Sequence, residues 1–283
     1  MNVRRETFAL PRGAAPGIEI FAFGDVHGRS DLLAALLETA AAEPRRAARR
    51  VVVFLGDLVD RGPDSLGAIR LAITAGAALQ ADETVGLLGN HETMMRMALD
   101  RRTPDRQALH AFSVWLRNGG RRVVAEFVAP TDPPLYGDAL WEAARKALPA
   151  DIGAWLDALK PHWRSGGLLF VHAGVNPARP LEAFLAIPWD APLDRLDGDA
   201  HWAWVRGPCL EHRPGPQGFS GYVVVHGHTP NDGRRFADHP GQIRRFRLNL
   251  DGGSGFTGAC KMGIFRGHEV EVVTAQGEPN ARF

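Results

Sequence analysis

The chain has only two cysteines in 283 residues, Cys209 and Cys260, far apart and outside any C-x-x-C pair. That excludes a disulfide framework and a cysteine-built structural zinc site, and it fits a reducing compartment. Excess charge is missing too: 33 Lys+Arg against 32 Asp+Glu leave a formal +1, so no global field argues for nucleic acid or a membrane surface. Arginine doublets such as Arg45 with Arg46, and Arg121 with Arg122, read as solvated faces. No stretch approaches the roughly 18 consecutive apolar residues of a membrane span, and the N-terminal MNVRRETFALPRGAAPG carries positive charge without an apolar core. A soluble cytoplasmic protein with no membrane or nucleic-acid partner is expected. There is no Walker-type glycine loop, no G-x-S-x-G, no papain-like cysteine signature, no internal repeat and no convincing linker.

What is present is a series of short apolar runs that end alike: IEIFAFGD (18–25), RVVVFLGD (50–57), TVGLLGN (84–90), GLLFVHAG (167–174) and YVVVHGHT (222–229). Their length, β-branched content and terminal glycines favour buried strands. Helical patterns follow the first three, among them SDLLAALLETAAAE behind Ser30 or Asp31, and DSLGAIRLAITAG between an Asp64 cap and a stop at Gly76. The class is α/β with at least partly parallel sheets, in a single domain over 1–283. A helical insert is expected over about 93–165, in which Thr103 caps a helix, Pro104 is its first residue and Gly119 lies just past its end. The Pro-, Gly- and Trp-rich 186–221 reads as an ordered loop, because Trp189, Trp202 and Trp204 are costly to expose. The tail, RRFRLNLDGG followed by CKMGIFRGHEVEVVTA, reads as antiparallel strands with a turn near Gly267.

In open α/β sheets, functional groups gather beyond the carboxyl ends of strands. Those ends here hold Asp25 and His27, Asp57 and Asp60, Asn90 and His91, His172, and His226 with His228. A lone aspartate there is usually a helix cap and a lone histidine usually structural, but five such ends in succession point to a site. Carboxylates, an amide and several imidazoles suit manganese, iron or zinc better than calcium. Six ligands exceed one tetrahedral zinc and match two metals sharing a carboxylate. The direct run from strand into Asn90 also predicts that Gly89 cannot be enlarged cheaply, because backbone approaches another segment there.

GDVHG (24–28), GDLVDRGP (56–63), GNHE (89–92), HAG (172–174) and GHTP (227–230), in that order, resemble the phosphoprotein phosphatase family of metallophosphoesterases, in its bacterial and phage branch. WLRNGG (115–120) and NLDGG (249–253) look like secondary landmarks, the latter departing from the DTGA of many relatives. The resemblance covers about residues 20–275 and implies two packed mixed sheets flanked by helices. It implies two divalent metals, manganese by preference with iron or zinc as options: Asp25 and His27 on the first, Asp57 bridging, and Asn90, His172 and His228 on the second. His226 is then a neighbour of the site. The implied chemistry is in-line attack on phosphorus by a metal-bridged hydroxide, with His91 as general acid held by Asp60, and with Arg61, Arg206 and Asn90 on the phosphoryl group.

The implied activity is hydrolysis of phosphomonoesters, foremost serine/threonine protein dephosphorylation. The partner is then a phosphorylated protein or a small phosphorylated substrate. The alternative is a dinucleoside polyphosphate hydrolase, although symmetric hydrolases of that kind tend to carry alanine where Asp60 stands. An inactive phospho-binding scaffold is less favoured because every motif residue is intact. Pro230, where many phosphodiesterases have a second histidine, argues against that class. His110, His162, His201, His212, His239 and His268 lack paired ligands in sequence, Asp64 and Glu92 suit helix starts, and Cys209 reads as a small buried side chain.

Overall fold

The computed structural model describes residues 1–195, 199–230 and 239–279. Ten strands form two mixed sheets. The first has the order β1-β10-β9-β2-β3-β4 and the second β5-β6-β7-β8. In the first, β2 (Ile18–Phe23), β3 (Arg49–Phe54) and β4 (Glu83–Gly86) are parallel, and β9 (Ala259–Arg266), β10 (Glu269–Gln276) and β1 (Asn2–Ala9) continue the sheet beyond β2, each antiparallel to the strand before it. In the second, β6 (Leu168–Val171), β7 (Val223–His226) and β8 (Arg247–Asn249) are parallel, with β5 (His162–Ser165) antiparallel at one edge.

Strand periodicity explains the layers. Along β2 and β3, Ile20, Ala22, Val51 and Val53 face the second sheet and pack on Leu168, Phe170, Val223, Val225 and Leu248. The alternate residues Phe21, Phe23, Val52 and Phe54 turn outward under α1 (Ser30–Ala41) and α2 (Ser65–Ala78), onto Leu32, Leu33, Leu36, Ala68 and Ala72. The outer face of the second sheet, Leu169, Val171 and Val224, packs in a third cluster with Trp115, Phe112, Phe184 and Trp202. The chain is therefore an α/β sandwich of two mixed sheets flanked by helices, as the motifs implied.

The helical segment comprises α3 (Asn90–Leu99), α4 (Asp105–Trp115), α5 (Arg121–Phe127), α6 (Gly137–Ala147) and α7 (Ala150–Ala158). Several local expectations need correction. Residues 162–165, assigned to the insert, form β5. Helix α2 passes through Gly76 to Ala78, and the missing side chain leaves room for Thr84, whose Oγ1 would lie 2.5 Å from a Cβ. Pro104 precedes α4 as its cap, with an extended ψ of 137°. Gly119 does not stop the helix: it sits inside a π turn, Leu116–Gly120, with φ of 116°, and connects α4 to α5. A Cβ there would lie 3.0 Å from the Arg61 nitrogen, so this kink seats the helical segment against the 60–61 loop.

β8 pairs parallel with β7, not antiparallel with the tail hairpin, while β9 and β10 do turn at Gly267. Strand β1 was not foreseen, because its mostly exposed side chains carry no apolar alternation. Segment 186–221 contains short turns at Leu193–Arg195 and Gly207–Leu210, with Trp202 fully buried and Trp189 and Trp204 partly so. Cys209 and Cys260 are free and buried. No helix among the described residues is long and apolar enough to cross a membrane.

Candidate metal centre

The parallel strands of both sheets deliver their carboxyl ends to one place. Asp25 and His27 follow β2, Asp57, Asp60 and Arg61 follow β3, Asn90 and His91 open α3 after β4, His172 follows β6, and His228 follows β7. Among the described residues, five of the eight non-glycine residues with positive φ are in this set: His27 (48°), Asp57 (54°), Asp60 (74°), Arg61 (67°) and His228 (68°). A left-handed conformation disfavours any residue with a Cβ, and its clustering here marks backbone held against its preference by surrounding structure.

Asp57 is the centre of the geometry. Its Oδ2 lies 3.7 Å from His27 Nε2 and 4.0 Å from His91 Nε2, and its Oδ1 lies 3.3 Å from His172 Nε2. Two groups share this carboxylate, His27–Asp57–His91 and Asp57–His172–His228, each with its donor atoms within 4.8 Å of one another. The rings are aimed by backbone. His27 Nδ1 donates to the Val59 carbonyl at 2.9 Å, and His172 Nδ1 donates to the Leu55 carbonyl at 2.9 Å, so each turns its Nε2 lone pair inward. His228 is set the other way: Nε2 donates to the Trp204 carbonyl at 3.2 Å and leaves Nδ1 inward, 2.9 Å from Asn90 Oδ1. Asn90 Oδ1 is also 3.1 Å from His172 Nε2. With the outer nitrogens of His172 and His228 committed to carbonyls, two inner ring nitrogens, an amide oxygen and a carboxylate oxygen converge, a donor set that a cation would satisfy.

Asp25 stands apart from both groups. Its carboxylate accepts the His228 backbone N–H at 3.0 and 3.2 Å, and a Cβ on Gly227 would fall 1.9 Å from its Oδ1. Burial, then Asp251 and Asp57, push its pKa well up. Asp251 is pushed up to about 6, chiefly by burial. Burial also raises Asp57, but the imidazoles of His172 and His91 outweigh it and hold this carboxyl well below the usual range. Burial, with Arg61 and His91, keeps His27 neutral, and burial with His172 and Arg206 does the same for His228. Asp57 in turn outweighs burial at His172 and raises its pKa, so this imidazole carries the positive charge that divalent cations would supply when bound. By donor chemistry and charge, the residues present fit such ions.

Beside this cluster lies a second device. Asp60 Oδ2 is 2.5 Å from His91 Nδ1, and its two oxygens accept Trp115 Nε1–H at 2.9 and 3.0 Å. Arg61 spans the mouth, donating to His27 Nε2 at 2.7 Å and to His91 Nε2 at 2.9 Å. Arg206 is exposed ahead of the turn Gly207–Leu210, near enough to His228 to disfavour its protonation. His226 is buried, its Nε2 has no hydrogen-bond partner among the described residues, and burial and Arg247 lower its pKa to about 3.

Sequence reasoning missed Glu92 and Trp115. Glu92, read as a helix start, is fully buried and accepts the backbone N–H groups of Asp57 and Leu58 at 2.7 Å and of Val59 at 3.3 Å. It clamps the loop that carries the central carboxylate, and burial raises its pKa to about 7. Trp115 opens the WLRNGG stretch, so its motif was seen without its role. The Gly89 expectation is met: a Cβ would lie 2.2 Å from Asp57 Oδ1 and 2.5 Å from the Asp57 nitrogen.

Comparison with known proteins follows the same lines. The family model described as calcineurin-like phosphoesterase matches residues 18–272. Serine/threonine-protein phosphatase 1 of Salmonella typhimurium (strain LT2) is 34% identical over 116 residues, 40% of this chain and 45% of that protein. The symmetrical bis(5'-nucleosyl)-tetraphosphatase of Acidovorax sp. (strain JS42) is 39% identical over 172 residues, 59% of this chain and 48% of that one. The chain thus spans about half the length of the curated relatives it matches. The solved protein serine/threonine phosphatase of Saccharomyces cerevisiae with similarity to human phosphatase PP5 covers 97% of this chain and 86% of its own, with a TM-score of 0.57. At 12% identity that is a likeness of fold.

Proposed function

The chain belongs to the calcineurin-like phosphoesterase family, and we propose that it is a metal-dependent phosphomonoester hydrolase acting on phosphoserine and phosphothreonine in proteins. The observation that carries this reading is the buried Asp60–His91–Trp115 arrangement. An alkoxide leaving from serine or threonine needs a proton, and a carboxylate hydrogen-bonded to the far side of an imidazole favours the protonated ring that can give it. Cleavage within a polyphosphate expels a good leaving group and has little use for such a donor.

Asp25, His27 and Asp57 would hold one cation, and Asp57, Asn90, His172 and His228 the other, with manganese, iron and zinc all compatible with mixed nitrogen and oxygen donors. Two bound cations would lower the pKa of a water and draw charge from the phosphoryl oxygens. The remaining chemistry belongs to side chains. Arg61 already points both amines into the site and presents the fork that matches phosphoryl oxygens as negative charge grows. Arg206 adds positive charge at the rim, Asn90 presents its amide beside the same centre, and Glu92 keeps the 57–59 backbone fixed. Asp60 and Trp115 hold the His91 ring so that Nε2 faces the leaving oxygen.

A second reading, hydrolysis of dinucleoside polyphosphates, is favoured by the activity named for the Acidovorax relative. The discriminating experiment compares kcat/KM on a phosphothreonine peptide and on diadenosine tetraphosphate, after chelation and resupply of manganese. Preference for the peptide is expected. Preference for the dinucleotide would overturn the protein phosphatase reading and leave the metal-dependent hydrolase standing.

A further inference from the structure

Among the described residues, five large apolar side chains are exposed: Met1, Val3, Ile73, Tyr136 and Phe256. Only Phe256 adjoins the candidate centre. It sits in a single helical turn, Ser254–Thr257, between Gly253 and Gly258, both left-handed at φ 74° and 71°. The turn is pressed against the site: a Cβ on Gly255 would lie 3.4 Å from Arg61 Cβ and Cδ and from His27 Cβ. Ser254 Oγ anchors it from below, donating to the carbonyls of Asp25 and Val26 at 2.8 Å. The backbone that carries the phenyl ring is therefore tied to the loops that carry Asp25, His27 and Arg61.

The ring uses one side to meet a site residue. The Arg61 guanidinium carbon lies 5.1 Å from its centroid, a cation–π distance, while 52% of the residue stays open to solvent. One face of the phenyl ring therefore stays open to solvent beside the charged and polar groups of the site. The same guanidinium reaches His27 and His91, so the ring borders the space that a phosphoryl group meeting Arg61 would occupy. Exposed aromatic faces of this kind stack planar groups with little regard to their identity.

We propose that Phe256 is a specificity residue that stacks a planar ring carried by the substrate next to its phosphoryl group. The proposal rests on the metal-dependent phosphoester hydrolase part of the proposed function, not on phosphoserine or phosphothreonine as the substrate, and adds a ligand class to it: nucleotides or aryl phosphates gain over ring-free phosphates of equal charge.

The test is calorimetric binding to the full-length, manganese-supplied protein, with two pairs of probes that differ only by a ring: AMP against ribose 5-phosphate, and phenyl phosphate against methyl phosphate. Stacking on one aromatic side chain contributes about 1–3 kcal/mol, roughly 5- to 150-fold in affinity. The expected result is that wild type prefers at least one ringed probe about tenfold, that Phe256→Ala brings that ratio to within about twofold with the ring-free probe unchanged, and that Phe256→Trp keeps the preference. Preference for AMP alone identifies a nucleobase as the ring, and preference for phenyl phosphate alone an aryl ester. Equal weakening of both members of a pair by Phe256→Ala would overturn the proposal, since the ring would then only hold Arg61. A wild-type protein indifferent to both rings would overturn it as well. Hydrolysis of a phosphothreonine peptide by the unaltered chain is run alongside. Its absence would count against the proposed function, while the binding ratios still judge Phe256.

Discussion

Replacing Asp60 by asparagine changes one oxygen for an NH2 group and removes a charge, with almost no change in shape. The carboxylate accepts from two donors, His91 Nδ1 at 2.5 Å and Trp115 Nε1 at 2.9 and 3.0 Å. An amide has one acceptor oxygen. With its oxygen in the Oδ2 place the amide can still accept from both rings, as Oδ2 now does, but without charge; with its NH2 there it turns an N–H toward His91 and forces that ring into the wrong tautomer. In both cases the carboxylate charge that faces the His91 ring is gone. A hydrogen bond to a charged group contributes about 1.5–3 kcal/mol, and each 1.36 kcal/mol of barrier is about tenfold in rate. The expected loss in kcat on a phosphothreonine peptide is therefore roughly 10- to 150-fold, within the usual range of general acid catalysis. On p-nitrophenyl phosphate, whose leaving group departs without a proton, kcat should fall less than about threefold. The assay is steady-state kinetics on both substrates with the same metal-loaded preparation. Equal losses on the two would refute the acid role and make Asp60 a support for the centre as a whole.

Three further outcomes follow from other parts of the molecule. Gly89→Ala puts a methyl group 2.2 Å from Asp57 Oδ1, and should weaken manganese binding measured by calorimetry and lower Tm, at about 1–3 kcal/mol for overpacking; unchanged affinity would contradict the close approach. Glu19→Ala strips the buried partner of Arg50 Nε, 2.8 Å away near the amino ends of β2 and β3, and should cost about 3–5 kcal/mol in denaturant unfolding while kcat below Tm stays unchanged. His201 is buried against Trp202 and Trp204, and burial lowers its pKa to about 4. Between pH 4 and its ordinary value near 6.5 the unfolded chain binds the extra proton, so this group's contribution is present above that window and is lost as pH falls through it. The wild-type advantage in stability over His201→Asn should therefore shrink across that range, by up to about 1.4 kcal/mol per pH unit, and a constant difference would contradict the assignment.

The strands and the residues gathered at their ends were legible because both follow local rules. Short apolar runs rich in β-branched residues and closed by glycine favour buried strands over helices, and polar residues at five such ends in succession point to a site although each alone would be structural. The orientation of each ring was not legible, because it depends on carbonyls brought from elsewhere: Leu55 aims His172 across 117 residues, and Trp204 aims His228 from the Trp-rich loop. Glu92 was hidden for a similar reason. In sequence it suits the first turn of a helix, and only the close approach of α3 to the 57–59 loop makes it an acceptor for three amides. Strand β1 was missed because an edge strand with solvated side chains has no apolar period, and Gly119 because a glycine that kinks a helix looks like one that ends it.

The central claim is that one carboxylate, Asp57, shared by two sets of donors, organises a two-cation centre on which hydrolysis depends. The most direct measurement is a manganese titration of chelator-treated protein, with bound metal counted by elemental analysis and phosphoesterase activity followed on the same samples. The account predicts two ions per chain with activity rising as the sites fill, and a loss of both from a folded Asp57→Asn variant. One ion per chain, retention of both by the variant, or full activity after chelation would contradict it.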